Sequence, residues 1–350
     1  MQKRIIVIAP KKLGGITKVV ENLLKGGLGK NSNLVFHPST FEGCGLKKFC
    51  MFITQFIKGI ILYINFKPDL IHIHVSSHGS FYRKAFYIML SEIFRKKIII
   101  HIHPTHFIDF IDNSGSLRKL FILKLLNKAN LIITLTEQVQ YTLKNIYGLK
   151  CDVKVVRVPI CLNDYEFHGA ENREKSTVLY LGWIIRNKGV YDLLLAAPSI
   201  KEKIRDFRLI YCGNKETNKL RKMVLNNGLS AYIEVNDWLN SEGKKSLLEK
   251  ATALILPTYT EGIPNVILEA MASGVPVITT PVGGIPSVLT DKINCLYFKP
   301  GDITDMIEKI TCLLGNKEMQ GNIIQNNIKL VKKYDARLIS REIEEIYDKL

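Results

Sequence analysis

The sequence predicts an α/β chain of two Rossmann-like domains whose parallel sheets face a central cleft, and three observations predict it. Its 350 residues exceed one typical core and suit two. Short β-branched runs alternate with helical patterns in the first half, and the same alternation restarts in the second. The strand-like runs are continuously apolar, as in a parallel sheet covered on both faces.

In order, RIIVIAP is a buried-strand run, followed by a Gly14–Gly15 loop and the helical pattern ITKVVENLLKG. Then come NLVFHPS, a long apolar helix, DLIHIHV, a helix near Phe81–Phe94, KIIIHIH, a helix near Leu117–Lys128, LIITLT and VKVVRVP. The polar stretch NDYEFHGAENREKS, 163–176, reads as the interdomain linker. The second half runs TVLYLG, a helix from Val190, FRLIYCG, a helix near Glu216–Asn227, YIEVN, ATALILP and the segment EGIPNVILEAMASGVPVITTP. Helical patterns fill Ile303 to Leu350. Residues 1–165 thus form a first domain and 166–335 a second, and the amphipathic stretch 336–350 is expected to pack back on the first.

The net charge of +17 is unevenly placed. Residues 1–165 carry 24 Lys+Arg against 9 Asp+Glu, whereas 166–350 carry 25 against 23. The basic half is therefore expected to face something anionic: a phosphorylated substrate, a membrane surface or nucleic acid. No aromatic-rich basic motif supports nucleic acid, which is excluded as a partner. Seven cysteines without a CxxC pair point to reduced thiols and a cytoplasmic setting. The opening MQKRIIVIAPKK has too short an apolar run for a signal peptide. Gln55, Lys58 and Asn65 interrupt the apolar stretch Phe49 to Phe66, so it is read as a buried helix rather than a spanning one. Lys47, Lys48 and Lys58 beside it favour the alternative of peripheral attachment to the inner face of the cell membrane.

The chemistry gathers in a few places. Glu261 and Glu269 lie eight positions apart, one in a loop and one in a helix. At ~100° per residue, eight steps bring the second acid within about 80° of the first, so both can border one cavity at the sheet's end. GWIIRNKG places Gly182, Arg186 and Lys188 just past a strand and before a helix, where two cations can neutralise a diphosphate leaving group. Gly213 ends another strand, and Gly14 and Gly15 precede a helix whose N-terminus can receive a phosphate. Read alone, these glycines and cations are equally consistent with plain turns and a solvated loop. His72, His74, His101, His103 and His106 cluster in the first half, with HIH alternation putting each strand's pair on one face. No acid or thiol accompanies them at ligand spacing, so no metal is expected. His72 and His101 read as hydrogen-bonded core residues, and His103, at a strand's end, as the one exposed to the cleft.

Together these residues resemble the two-Rossmann-domain glycosyltransferases of the GT-B fold, specifically the large retaining family 4 within the group 1 glycosyl transferases. EGIPNVILEAMASGVPVITTPVGGIP is similar to that family's E-x7-E signature nearly residue for residue, and the likeness is strongest from Thr177 to Pro300. YLGWIIRNKGVYDLL looks like its phosphate-binding loop, PDLIHIH and KIIIHIHPTHF like its acceptor-side strands, and GDITDMIEKI like its later helix. The resemblance implies that Glu261 contacts the transferred sugar near the amides of Gly262 and Ile263, with Asn265 close by. It implies that Glu269 binds the nucleotide ribose and Lys188 the diphosphate. Gly14–Gly15 would meet that diphosphate from the other domain, and His103 would position the sugar.

Trp183 stands where many members have a first arginine, so Arg186 is expected to supply that charge. Pro104 stands where glycine is usual, and Cys295 replaces another common glycine. The implied reaction is retaining, metal-independent hexosyl transfer from a nucleoside-diphosphate sugar (UDP or GDP), with no cofactor. The acceptor would be a glycan or lipid-linked molecule in cell-surface polysaccharide biosynthesis. The competing readings are a nucleotide-sugar epimerase of the same architecture and a non-catalytic nucleotide-sugar-binding partner.

Overall fold

The computed structural model describes residues 2–11, 14–39, 45–103, 106–165, 167, 169 and 173–350. Pro104 lies outside the described residues. Contacts divide the chain into two units, 1–161 with 334–350, and 162–333.

In the first unit, β1 (Arg4–Ala9), β2 (Asn33–Pro38), β3 (Leu70–Val75), β4 (Lys97–Ile102), β5 (Leu131–Thr134) and β6 (Asp152–Val155) form one sheet. Its order is β2-β1-β3-β4-β5-β6, parallel throughout. The apolar runs are strands because both faces are covered. Ile6, Ile8, Ile71, Ile73, Ile98 and Ile100 point into one core cluster, and the alternate residues of each strand point the other way. The connecting helices are α1 (Gly15–Gly26), α2 (Gly45–Phe66), α3 (Gly79–Ile93), α4 (Phe107–Asp112), α5 (Ser116–Leu126) and α6 (Glu137–Tyr141). Right-handed crossovers put α1 on one face of the sheet and α2, α3, α5 and α6 on the other, because the chain steps first one way from β1 and then back.

The last helix, α13 (Ala336–Lys349), belongs to this unit and lies against α1. Its inward stripe, Ile339, Ile343, Ile346 and Tyr347, is buried. Ser340 Oγ donates to Leu23 O (2.7 Å), and Glu344 accepts from Gly29 N (2.5 Å) and Ser32 Oγ (3.3 Å).

The second unit repeats the plan. Its strands are β7 (Thr177–Leu181), β8 (Arg208–Gly213), β9 (Ile233–Asp237), β10 (Ala253–Leu256), β11 (Val277–Thr279) and β12 (Cys295–Tyr297), in the parallel order β12-β11-β10-β7-β8-β9. Its helices are α7 (Val190–Lys203), α8 (Thr217–Asn226), α9 (Ser241–Lys250), α10 (Asn265–Ala272), α11 (Ile303–Gly315) and α12 (Lys317–Val331). The strand β12 and the helix α9 are additions to the sequence expectation. Cys295 is fully buried in β12, where burial pushes its thiol up to about 12.

Three expectations are corrected. The described part of the stretch expected to link the domains is held against the second unit: Arg173 donates to Ser273 O (3.2 Å) and Gly274 O (2.5 Å), and Glu174 N to Lys250 O (3.0 Å). The helix expected to be buried, 49–66, is buried on one side only: Tyr63 is enclosed and Phe52 and Phe56 pack on the core, but just 17% of those residues are buried. The third correction concerns phase. Helix α10 starts at Asn265, four residues after Glu261, so helical spacing does not relate Glu261 to Glu269.

Candidate functional site

Strands β7 and β10 are neighbours, so the loops that leave their C-terminal ends run side by side. The first loop passes Gly182 and Trp183, makes a tight turn at Arg186–Lys188 and enters α7 at Gly189. The second runs Pro257 to Pro264 into α10. Tyr259 N donates to Asn187 O (3.0 Å) and Thr258 Oγ1 to the same oxygen (3.3 Å), fastening one loop to the other. Gly189 is required at this junction. Its φ is +68°, and a Cβ there would stand 1.9 Å from Pro257 O.

This fastening brings Lys188 to Glu261. Lys188 Nζ lies 2.5 Å from Glu261 Oε1 and 3.2 Å from Thr260 O, with both side chains mostly enclosed. Below them the Tyr180 hydroxyl donates to Trp183 O (2.7 Å), and burial, with the Glu261 charge, pushes that phenol well above its usual range. Arg186 is exposed on the same turn. Trp183 is exposed too, with Lys215 Nζ 5.4 Å from its ring centroid. Lys215 follows the end of β8 and is a third cation beside this loop that the sequence pattern did not single out. Gly213 meets the chain instead of open space: a Cβ there would lie 2.0 Å from Gly182 O, so Gly213 is explained by close backbone approach.

Glu269 sits on α10, 2% exposed, with both carboxylate oxygens bound by Lys244 Nζ at 3.0 and 2.9 Å. Lys244 comes from α9, whose start Asn240 caps by accepting from Gly243 N (2.9 Å), and its Nζ lies 5.4 Å from the Trp238 ring centroid. Lys244 was missed in a run of charges, SEGKKSLLEK. The available signal was its phase, four residues before the buried Leu248. Gly262, Ile263 and Asn265 form the entry to α10, and Gly262 O accepts from Gly284 N (3.0 Å).

The remaining candidates are in the first unit. Gly14 and Gly15 head α1, as the loop pattern predicts. His103 is buried rather than exposed, its Nε2 2.7 Å from His74 Nδ1. His72 Nε2 is 3.2 Å from His101 Nδ1, and His72 Nδ1 is 2.6 Å from the Tyr347 hydroxyl. The four imidazoles stack as one column, and His72, His74 and His101 each offer a nitrogen within 4.8 Å of the others. Both nitrogens of His72 are already engaged, by the Tyr347 hydroxyl and by His101 Nδ1. Burial holds His72 and His103 near 3, and His74 and His101 well below their usual value. Beside them Lys84, fully buried on α3, donates to Ser80 Oγ (2.7 Å), and burial lowers its ammonium to about 7.

Two six-stranded parallel sheets, each with its helices, have the architecture of the GT-B fold. Solved relatives share the fold. A sucrose-phosphate synthase from Thermosynechococcus elongatus superposes with a TM-score of 0.81 at 16% identity over 99% of both chains. Anabaena HepE in complex with UDP-glucose gives 0.77 at 16% identity, also over 99% of both. In sequence, the chain is 28% identical to MJ1178, an uncharacterized glycosyltransferase of Methanocaldococcus jannaschii, over 97% of this chain and 95% of that protein. It is 28% identical to the capsular polysaccharide biosynthesis glycosyltransferase CapM of Staphylococcus aureus, over 48% of this chain and 45% of that one. Residues 163–330, just under half of the chain, match the family model described as glycosyl transferases group 1.

Proposed function

We propose that this chain is a retaining glycosyltransferase of family 4 that moves a hexose from a UDP- or GDP-sugar to a glycan or lipid-linked acceptor in cell-surface polysaccharide assembly. The observation that carries the reading is the enclosed Lys188–Glu261 pair at the paired strand ends. A lysine ammonium has three donors; Glu261 and Thr260 O take two, and the third is available to a phosphate oxygen. As the sugar leaves, charge grows on the diphosphate. Lys188, Arg186 and the start of α10 at Gly262, Ile263 and Asn265 stabilise it. These cations do the work of a divalent ion, so the reaction needs no metal and no cofactor. Glu261 holds the transferred sugar at the reacting centre. Glu269 keeps one acceptor site on each oxygen beyond those used by Lys244, enough to receive the two ribose hydroxyls. Anabaena HepE, which shares the fold, was solved in complex with UDP-glucose, and this favours UDP as the donor nucleotide here.

The test is a thermal-shift series with UDP-, GDP-, ADP- and CMP-sugars, because a ligand bound only by the folded state must raise its melting temperature. The stabilising donor is then incubated with and without candidate acceptors, and the anomeric configuration of the product is read by NMR. Transfer with retention, undiminished by a chelator, is expected. Conversion of the donor without acceptor would mean an epimerase, and stabilisation without turnover a binding partner.

A further inference from the structure

Helix α2 is apolar on two sides. Inward, Phe52, Phe56 and Tyr63 meet the Phe86, Tyr87 and Phe94 rings at 5.4–5.8 Å. Outward, Phe49, Ile53, Ile57, Ile61 and Ile64 stand 39–60% exposed. At ~100° per residue these five cover about 120° of the helix surface, the sector where a soluble helix ordinarily carries polar groups. The exposed apolar surface continues on the same face of the sheet, with Phe86 and Ile93 on α3 and Leu117, Leu120 and Phe121 on α5. Single exposed apolar residues are ordinary, but a face shared by three helices marks a docking surface.

Charge identifies what docks. Helix α2 holds no acidic residue; Lys47 and Lys48 stand in its first turn, and Lys58 borders the outward stripe. Arg118 and Lys124 fall within the exposed arc of α5. The surrounding residues 1–165 hold the 24 cations against 9 acids. An apolar stripe with cations along it fits the interface of an anionic bilayer, where the stripe enters the acyl boundary and lysines meet lipid phosphates. Spanning is excluded by topology, since α2 joins β2 to β3, two parallel strands of one sheet, and its inner side is part of that unit's core.

We propose that α2, together with the outward sides of α3 and α5, lies in the interfacial plane of an anionic membrane. This does not depend on the transfer chemistry, and its test does not read turnover. The full-length protein is sedimented at low salt with phosphatidylglycerol–phosphatidylcholine vesicles and with phosphatidylcholine alone. Binding is expected only to the former and is expected to weaken as salt rises. Ile57→Ser with Ile61→Ser should reduce that binding roughly tenfold or more, with melting temperature and nucleotide-sugar stabilisation unchanged. Lys58→Gln should weaken binding several-fold, and more at low salt than at high. Equal binding to both vesicle types, or an unaffected serine pair, overturns the proposal. So does sedimentation equilibrium showing a wild-type dimer that the serine pair converts to monomer, because the stripe would then join two copies of the chain.

Discussion

His74 Nδ1 lies 2.7 Å from His103 Nε2, a buried imidazole pair that ties the end of β3 to the residue just past β4. The strand register sets His74 opposite His101, so the bond is diagonal, and the His72–His101 contact repeats it one step back. Tyr347 of α13 completes the column. Each β3 histidine therefore reaches a histidine on the diagonal, His101 within β4 or His103 just past it.

This column makes the first unit acid-sensitive. The folded imidazoles are held far below the unfolded value of about 6.5 by burial, so the unfolded chain binds more protons in that range. The stability these groups contribute is whole above pH ~6.5 and falls as pH drops below it. Thermal melts between pH 7.5 and 5 should show a steep fall in melting temperature beginning near pH 6.5. His101→Gln should flatten the slope. A melting temperature independent of pH over that interval would count against a fully buried column.

How much of this was legible in the sequence depends on what each residue answers to. The HIH alternation correctly set His72 with His74 and His101 with His103 on shared faces, because strand period 2 is local. The burial of His103 was not legible, since it depends on a diagonal partner from another strand, His74, and not on position along its own strand. The E-x7-E segment gave strand, loop, helix and strand correctly. Its helical phase argument failed because α10 begins only at Asn265. Lys244 was hidden among surface-like charges, and the apolar α2 misled for the opposite reason: hydrophobicity reports a preference for leaving water, not which phase receives the side chain.

Lys244 holds Glu269 in its buried position, so removing the lysine leaves an uncompensated carboxylate. Lys244→Met is expected to cost about 3–5 kcal/mol in urea unfolding and to weaken donor binding. Adding Glu269→Met should restore most of the stability but none of the donor affinity. The split between the two readouts distinguishes a positioning lysine from one that is only structural.

Lys84 is a buried cation that donates to one hydroxyl, Ser80 Oγ. Replacing a buried charge by an apolar chain of similar length is commonly stabilising. Lys84→Met should therefore raise the unfolding free energy at pH 7 by roughly 1–3 kcal/mol. Its folded pKa is depressed to about 7, so the gain should grow as pH falls from 10 toward 7, where the wild-type protein has to charge a buried amine. Urea melts at pH 7 and 9.5 measure both quantities.

The Lys188–Glu261 pair separates catalysis from stability most directly. Both side chains keep some solvent contact, so the pair adds no more than about 1 kcal/mol to folding. In the proposed reaction the same groups would act on growing charge, where losing one is typically worth about 10²–10³ in rate. Lys188→Ala and Glu261→Gln should each lower kcat by roughly that factor while shifting unfolding midpoints little. If the two act on one transition state, as proposed, the double variant should be little slower than the worse single variant. Single-turnover rates and urea melts on the four proteins form one cycle. Losses that multiplied fully in the double variant would show that the two residues act independently.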